Sequence, residues 1–108
     1  MEGGRENRRH DRRPLDGRLK IAWFDSNGGS HDSVARIIDA SESGFRIVLP
    51  DRLELRSFVH IRLDRYNFKT MACVRYSVRS AMNYSAGLEF AGGARFTMPQ
   101  PALELQTS

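Results

Sequence analysis

A chain of 108 residues supplies one domain and one modest core, since folding at this length hides roughly 60 to 65% of the surface of the unfolded chain. With 40% hydrophobic and 28% charged residues, the composition excludes a wholly disordered chain, a collagen and a disulfide scaffold. Seventeen Lys and Arg against thirteen Asp and Glu give a net charge of +4, and fifteen of those bases are Arg, whose planar fork suits phosphates and guanine edges. An anionic partner is expected. The single Cys73 forms no internal disulfide, which points to a reducing compartment. No apolar run approaches the ~18 residues of a membrane helix, and the leader MEGGRENRRHDRR lacks a signal-peptide core. The expectation is a soluble, cytoplasmic protein with no membrane insertion.

Residues 1–17 carry Arg5, Arg8, Arg9, Arg12 and Arg13 with Gly3, Gly4, Pro14 and Gly17, and only Met1 and Leu15 are sizeable apolar residues. So little apolar surface does not offset the ~1 to 2 kcal/mol per residue of backbone ordering. This segment is expected to be a flexible basic arm that contributes nothing to the core.

From Leu19 the pattern becomes short segments of period two. Leu19, Ile21 and Trp23 alternate with Lys20 and Ala22, and residues 25–30 form a turn cluster containing Asn27-Gly28. A second strand is expected over Ser33 to Ile38, with Val34, Ile37 and Ile38 as its apolar residues, and a third over Phe45 to Leu49, ended by Pro50. Val59, Ile61 and Leu63 alternate with His60 and Arg62 in a fourth strand whose outer face is basic. After a turn at Asp64 to Asn67 comes a fifth strand, Phe68 to Tyr76, with Phe68, Thr70, Ala72, Val74 and Tyr76 on one face and Met71, Cys73 and Arg75 on the other. The sixth spans Asn83 to Phe90. Six short strands without sustained helical period predict an all-β fold, a small six-stranded antiparallel barrel over residues 18–92, because closure removes exposed edges. Residues 93–108, with Pro99 and Pro101, are expected to be a frayed, irregular tail.

Two local patterns stand out. Arg8-Arg9-His10-Asp11-Arg12 sets two arginines four apart ahead of the first strand, and Asp39-Ala40-Ser41-Glu42-Ser43-Gly44 falls where the second strand turns into the third. Singly, each has an ordinary explanation: solvated charge for the first, turn chemistry for the second. Together, in this order on a six-strand pattern, they resemble the signature of the PilZ domain, RxxxR followed by (D/N)xSxxG, with Arg8 and Arg12 matching the first part and Asp39, Ser41 and Gly44 the second. The stretch Tyr84 to Phe90 is similar to that family's last barrel strand, with its Gly-apolar-x-Phe ending. Ser43 stands where many members have a second glycine, and there is little room for the helix that often follows the barrel.

The resemblance implies a bacterial receptor for the second messenger cyclic di-GMP, with that nucleotide as ligand, no cofactor and no catalysis. Such a ligand presents two phosphodiesters and two guanines. Arginine can donate in pairs to phosphate or to guanine O6 and N7 and can stack on a base, so Arg8 and Arg12 are expected to supply these contacts, supported by Arg9. Guanine N1–H and its amino group need a fixed acceptor, for which Asp39 is the candidate. Ser41 adds a hydroxyl, and Gly44 permits the tight turn and a close approach by the ligand. Binding would order the arm and present a new surface to an unidentified downstream protein, in control of motility, biofilm or exopolysaccharide.

His10, His31 and His60 have no metal-ligand spacing, and no GxSxG, CxxC, HExxH, GxGxxG or GxxxxGK[ST] motif occurs. Met71, Met82 and Met98, with Phe45, Phe58, Phe68 and Phe90, are expected in the core. Two rival readings are a basic barrel for single-stranded nucleic acid, with Phe24 and Tyr66 as stacking candidates, and a PilZ-like structural partner that ignores nucleotide. The interspersed acids of the barrel disfavour a nucleic-acid polymer.

Overall fold

Period-two alternation carries through to the structure as a closed wall with one apolar face. The computed structural model describes residues 11–98, and its strands are β1 (Arg13–Phe24), β2 (Ser30–Ser41), β3 (Gly44–Leu49), β4 (Phe58–Leu63), β5 (Phe68–Ser80) and β6 (Asn83–Phe90). They close in the order β1-β2-β3-β6-β5-β4, every neighbouring pair antiparallel. A single turn of 3-10 helix, Asp64–Tyr66, joins β4 to β5, and Asn67 takes the left-handed conformation that ends it. Among the described residues no helix is long and apolar enough to cross a membrane.

The inner face is filled by Leu19 and Ile21 of β1, Ala35, Ile37 and Ala40 of β2, Phe45, Ile47 and Leu49 of β3, Val59, Ile61 and Leu63 of β4, Ala72 and Val74 of β5, and Ala86, Leu88 and Phe90 of β6, all buried. Closure is energetically sensible for so small a chain, because it pairs both edges of every strand without needing a second sheet.

Several expectations are corrected. Residues 13–17 belong to β1 and not to a loose arm, and Leu15 is buried in the core, because its side chain reaches the barrel end where apolar neighbours offset its ordering. β2 and β5 run longer than expected, as polar outward residues continue a ladder that the apolar pattern alone does not reveal. Phe58, Met71 and Met82 are exposed, while Phe45 and Phe90 are buried and Phe68 and Met98 pack against the core. The alternation explains Phe58 and Met71, since each precedes an inward residue, Val59 and Ala72. In β2 the inward residues are Ala35, Ile37 and Ala40, and Val34 and Ile38 face out.

The start of the expected tail is also packed. Phe96 is buried and forms an aromatic cluster with Phe45, Phe68 and Tyr66, ring centroids 5.1, 5.2 and 5.8 Å away. Its N–H donates to the Glu42 carbonyl at 3.0 Å, and Arg95 pairs with the Glu42 carboxylate at 2.9 Å. This segment plugs one end of the barrel. Phe96→Ala is therefore expected to cost roughly 3 to 5 kcal/mol, read as a lowered midpoint in denaturant unfolding.

At the β1–β2 hairpin, Asp25 organises a five-residue loop. Its Oδ1 accepts from the backbone N–H groups of Asn27 and Gly29, both at 2.8 Å, and its Oδ2 lies 2.7 Å from His31 Nε2. His31 in turn stacks on Trp23 with centroids 5.4 Å apart. The hydrogen bond to His31, and then those from Gly29 and Asn27, hold the Asp25 carboxyl below its ordinary value of 3.8. A depressed folded-state pKa stabilises above the unfolded value and loses that contribution as pH falls through the lowered one. Carbon NMR titration should accordingly find the Asp25 midpoint below 3.8, with Asn27 and Gly29 amide shifts following it.

Candidate functional site

Strand alternation alone would send Asp39 into the core with Ala35 and Ile37. A bulge prevents this. Ile37 pairs with Ile47 and Asp39 with Arg46, so Ile38 is an extra residue in β2 and the phase inverts beyond it. Ala40 then points inward opposite Phe45, while Asp39 and Ser41 stand on the outer wall. β1 is irregular alongside, with a register shift between Pro14 and Gly17, and Asp39 also pairs with Pro14.

A matching bulge occurs in β5. Val74 pairs with Leu88 but Tyr76 with Gly87, leaving Arg75 extra. Tyr76 is therefore carried to the outer face and does not share the inward face of Ala72 and Val74 as the alternation predicts. Its ring lies on Gly87: a Cβ built there would stand 2.2 Å from Tyr76 Cε2. Gly87 is bare so that the ring can lie flat against β6.

These re-aimed residues converge. Asp39 sits between two guanidinium groups, with Arg12 Nη1 3.4 Å from Oδ1 and Arg46 Nη2 2.7 Å from Oδ2. Arg46 Nε also donates to both carboxylate oxygens, at 3.2 and 2.9 Å. Asp39 is buried, so the pairing offsets the cost of removing a charge from water. The hydrogen bond and negative charge of Asp39 raise the already high pKa of Arg46, against a small opposing effect of burial, and the Tyr76 hydroxyl adds a lesser hydrogen bond. Next to this cluster a cleft of about 220 Å³ is lined by Arg12, Ser41, Gly44, Arg75, Tyr76 and Gly87, among others. Arg75 is paired with Glu89 at 3.1 Å.

The corner beside Asp39 is a two-residue hairpin loop, Glu42-Ser43, between paired Ser41 and Gly44. Ser41 is buried, and its Oγ accepts from the Ser43 N–H at 3.3 Å and donates to the Gly44 carbonyl at 3.4 Å. Its hydroxyl thus fastens the corner. Gly44 is required for a reason other than turn geometry, since its φ is not in the left-handed region. A Cβ there would stand 2.1 Å from the Leu88 carbonyl oxygen, so only glycine lets β3 start against the β6 backbone. From behind, the Phe90 N–H donates to the Ser43 carbonyl at 2.9 Å.

The structure brings together Arg12, Asp39, Ser41 and Gly44, four of the residues expected from the sequence. Arg8 and Arg9 lie outside the described residues. Sequence reasoning missed Arg46, Tyr76 and Gly87. Arg46 was accessible: once 42–43 is read as a two-residue loop, hairpin symmetry sets residue 46 opposite 39. Tyr76 was hidden by the bulge. Among the described residues no group of three or more His, Cys, Asp or Glu could hold a metal ion.

Fold and recess together define a small closed β-barrel with a cleft on its outer wall beside the Asp39 cluster. The chain matches the PilZ domain over residues 6–105, nearly its whole length, and belongs to that family. A search of curated proteins found no match.

Because the clash at Gly44 is with backbone, Gly44→Ala must push β3 off β6. We expect a loss of roughly 1 to 3 kcal/mol in urea unfolding, whereas the same change at exposed Gly92, whose φ is +67° and whose surroundings are open, should disturb only its own turn.

Proposed function

We propose that this protein is a cyclic di-GMP receptor that signals by binding and not by catalysis, with the nucleotide held on the outer wall at Asp39. One observation carries the reading: Arg12 of the RxxxR element touches Asp39 of the DxSxxG element, at 3.4 Å, in a chain that belongs to the PilZ family.

The chemistry suits the residues. Two arginines face one carboxylate, so the cluster has a positive charge to spare for phosphate. Arg46 on β3 fixes the carboxylate from the strand side, which leaves Arg12 as the partner better placed to turn toward a ligand. Asp39 supplies the acceptor for a guanine N1–H and amino group, and Tyr76 on its glycine floor offers a flat apolar surface beside it. Arg8 and Arg9 add phosphate or base contacts as the arm closes, and the ordered arm alters the surface met by a downstream protein, in motility, biofilm or exopolysaccharide control, in the cytoplasm. No cofactor is needed.

Calorimetric titration tests this directly. Cyclic di-GMP should saturate a discrete site that GMP competes for poorly. Arg8→Ala and Arg12→Ala should each lose contacts of roughly 1.5 to 3 kcal/mol, or about ten- to a hundredfold in affinity, with melting temperatures near that of the unaltered protein. Equal affinity in all three proteins would refute the assignment.

A further inference from the structure

The Asp39 recess occupies the β3/β6 side of the barrel, and β1 and β4 are neighbours on the side opposite in the strand cycle. That second wall has features the recess does not explain. Lys20 of β1 pairs with Arg62 of β4, and Arg62 pairs with Lys69 of β5, which sets three cations abreast in one row. Like charges directly opposite one another on a sheet are destabilising. Asp64 relieves part of this, 3.2 Å from Lys20 Nζ and 2.8 Å from Arg62 Nε. Among the described residues Lys69 has no carboxylate partner.

Apolar side chains interrupt the same wall. Val34 stands beside Lys20 in the cation row, and the next row holds Ala22, His60 and Met71. Two residues beyond the last β1–β4 pair, each strand carries an exposed phenylalanine, Phe24 at 69% and Phe58 at 54% exposure. Half of the eight exposed large hydrophobics of the described chain, namely Phe24, Val34, Phe58 and Met71, are therefore on this side. A groove of about 590 Å³ crosses it between Val34 and Met71. The barrel is closed and β1 is paired with β4 across this wall at Lys20, Ile21 and Ala22, so a partner lying over it is read through side chains.

We propose that the β1/β4 wall is a docking surface for a protein segment in which acidic residues alternate with apolar ones. Charge complementarity selects the occupant. Carboxylates on such a segment meet Lys69 and the Lys20–Arg62 pair, and its apolar side chains cover Met71, Val34 and the phenylalanines. A phosphate backbone fits less well: Asp32, paired with Ala22, and Asp64 lie among the cations and would repel a continuous polyanion, whereas a peptide can place neutral residues opposite them. The surface is distinct from the nucleotide reading and does not depend on it.

Fluorescence anisotropy with the full chain provides the test. The probe is a labelled synthetic peptide of alternating glutamate and leucine pairs, compared with its glutamine-for-glutamate analogue, polyglutamate of equal length and oligothymidine. The acidic, leucine-bearing peptide should bind saturably, and both peptide controls should bind roughly tenfold more weakly. Lys69→Glu and Phe58→Ser should each weaken binding by a similar factor. Lys69→Glu should melt at or above the unaltered protein, because it breaks up the row of like charge. Arg12→Ala should leave peptide binding unchanged, so failure here and failure of the nucleotide titration are separable. Absence of binding at about 1 mM peptide, peptide binding indifferent to Lys69→Glu and Phe58→Ser, or oligothymidine binding more tightly than the peptide would each overturn the proposal.

Discussion

A strand sends successive side chains to opposite faces, and the candidate site exists because that rule is broken at two residues. Ile38 and Arg75 are each inserted without a partner, and each reverses the inward–outward phase of the residues beyond it. Without the first, an aspartate would join Ile37 in an interior filled by Phe45, Ile47 and Leu49, where an ionised carboxylate has no solvent to stabilise it. With it, the same residue reaches the outer wall and finds Arg12 and Arg46. The strand pays for this with an unpaired residue and an exposed Ile38, a cost the barrel can bear because the ladders on both sides of each bulge are intact.

The remainder of the recess comes from close approach. Gly44 lets β3 begin against the Leu88 carbonyl, Gly87 gives Tyr76 a flat bed, and Ser41 and Phe90 tie the corner through hydrogen bonds. The result is a preorganised carboxylate on rigid backbone, with one arginine on the same hairpin and another arriving from the chain ahead of β1. That asymmetry matters for recognition: the rigid partner sets the orientation of Asp39, and the one outside the sheet can exchange its contact for another anion at small structural cost.

Much of this was legible in the sequence, for physical reasons that can be traced to particular residues. Val59-His60-Ile61-Arg62-Leu63 alternates cleanly, and β4 lies where that pattern sets it. Asn83 to Phe90 likewise fixes both ends of β6. The six-stranded closed barrel is implied by the spacing of such segments. Bulges were not legible, because an inserted residue shifts phase without changing composition; for this reason the alternation sets Asp39 on the face of Ile37 and Tyr76 on the face of Val74, and the structure sets both on the outer wall. Leu15 and Phe96 escape notice for a different reason. Each is a lone apolar residue in a polar stretch, and its burial depends on a distant barrel end that local pattern does not encode. Of the site, Asp39, Ser41, Gly44 and Arg12 stand out through a spacing tied to a known family. Arg46 carries no such mark, and only its cross-strand position shows its role.

Trp23, the one tryptophan of the chain, lies against the His31 ring at the β1–β2 hairpin. Indole emission responds to the groups packed on its ring, so the intrinsic fluorescence of this protein is a gauge of that stack. Since Trp23 precedes Phe24 and lies far along β1 from Arg13, a spectral change on adding a solute would report events at the hairpin end of the barrel. A ligand confined to the neighbourhood of Asp39 would leave the emission unchanged, so this signal separates events at the hairpin end from events at the recess.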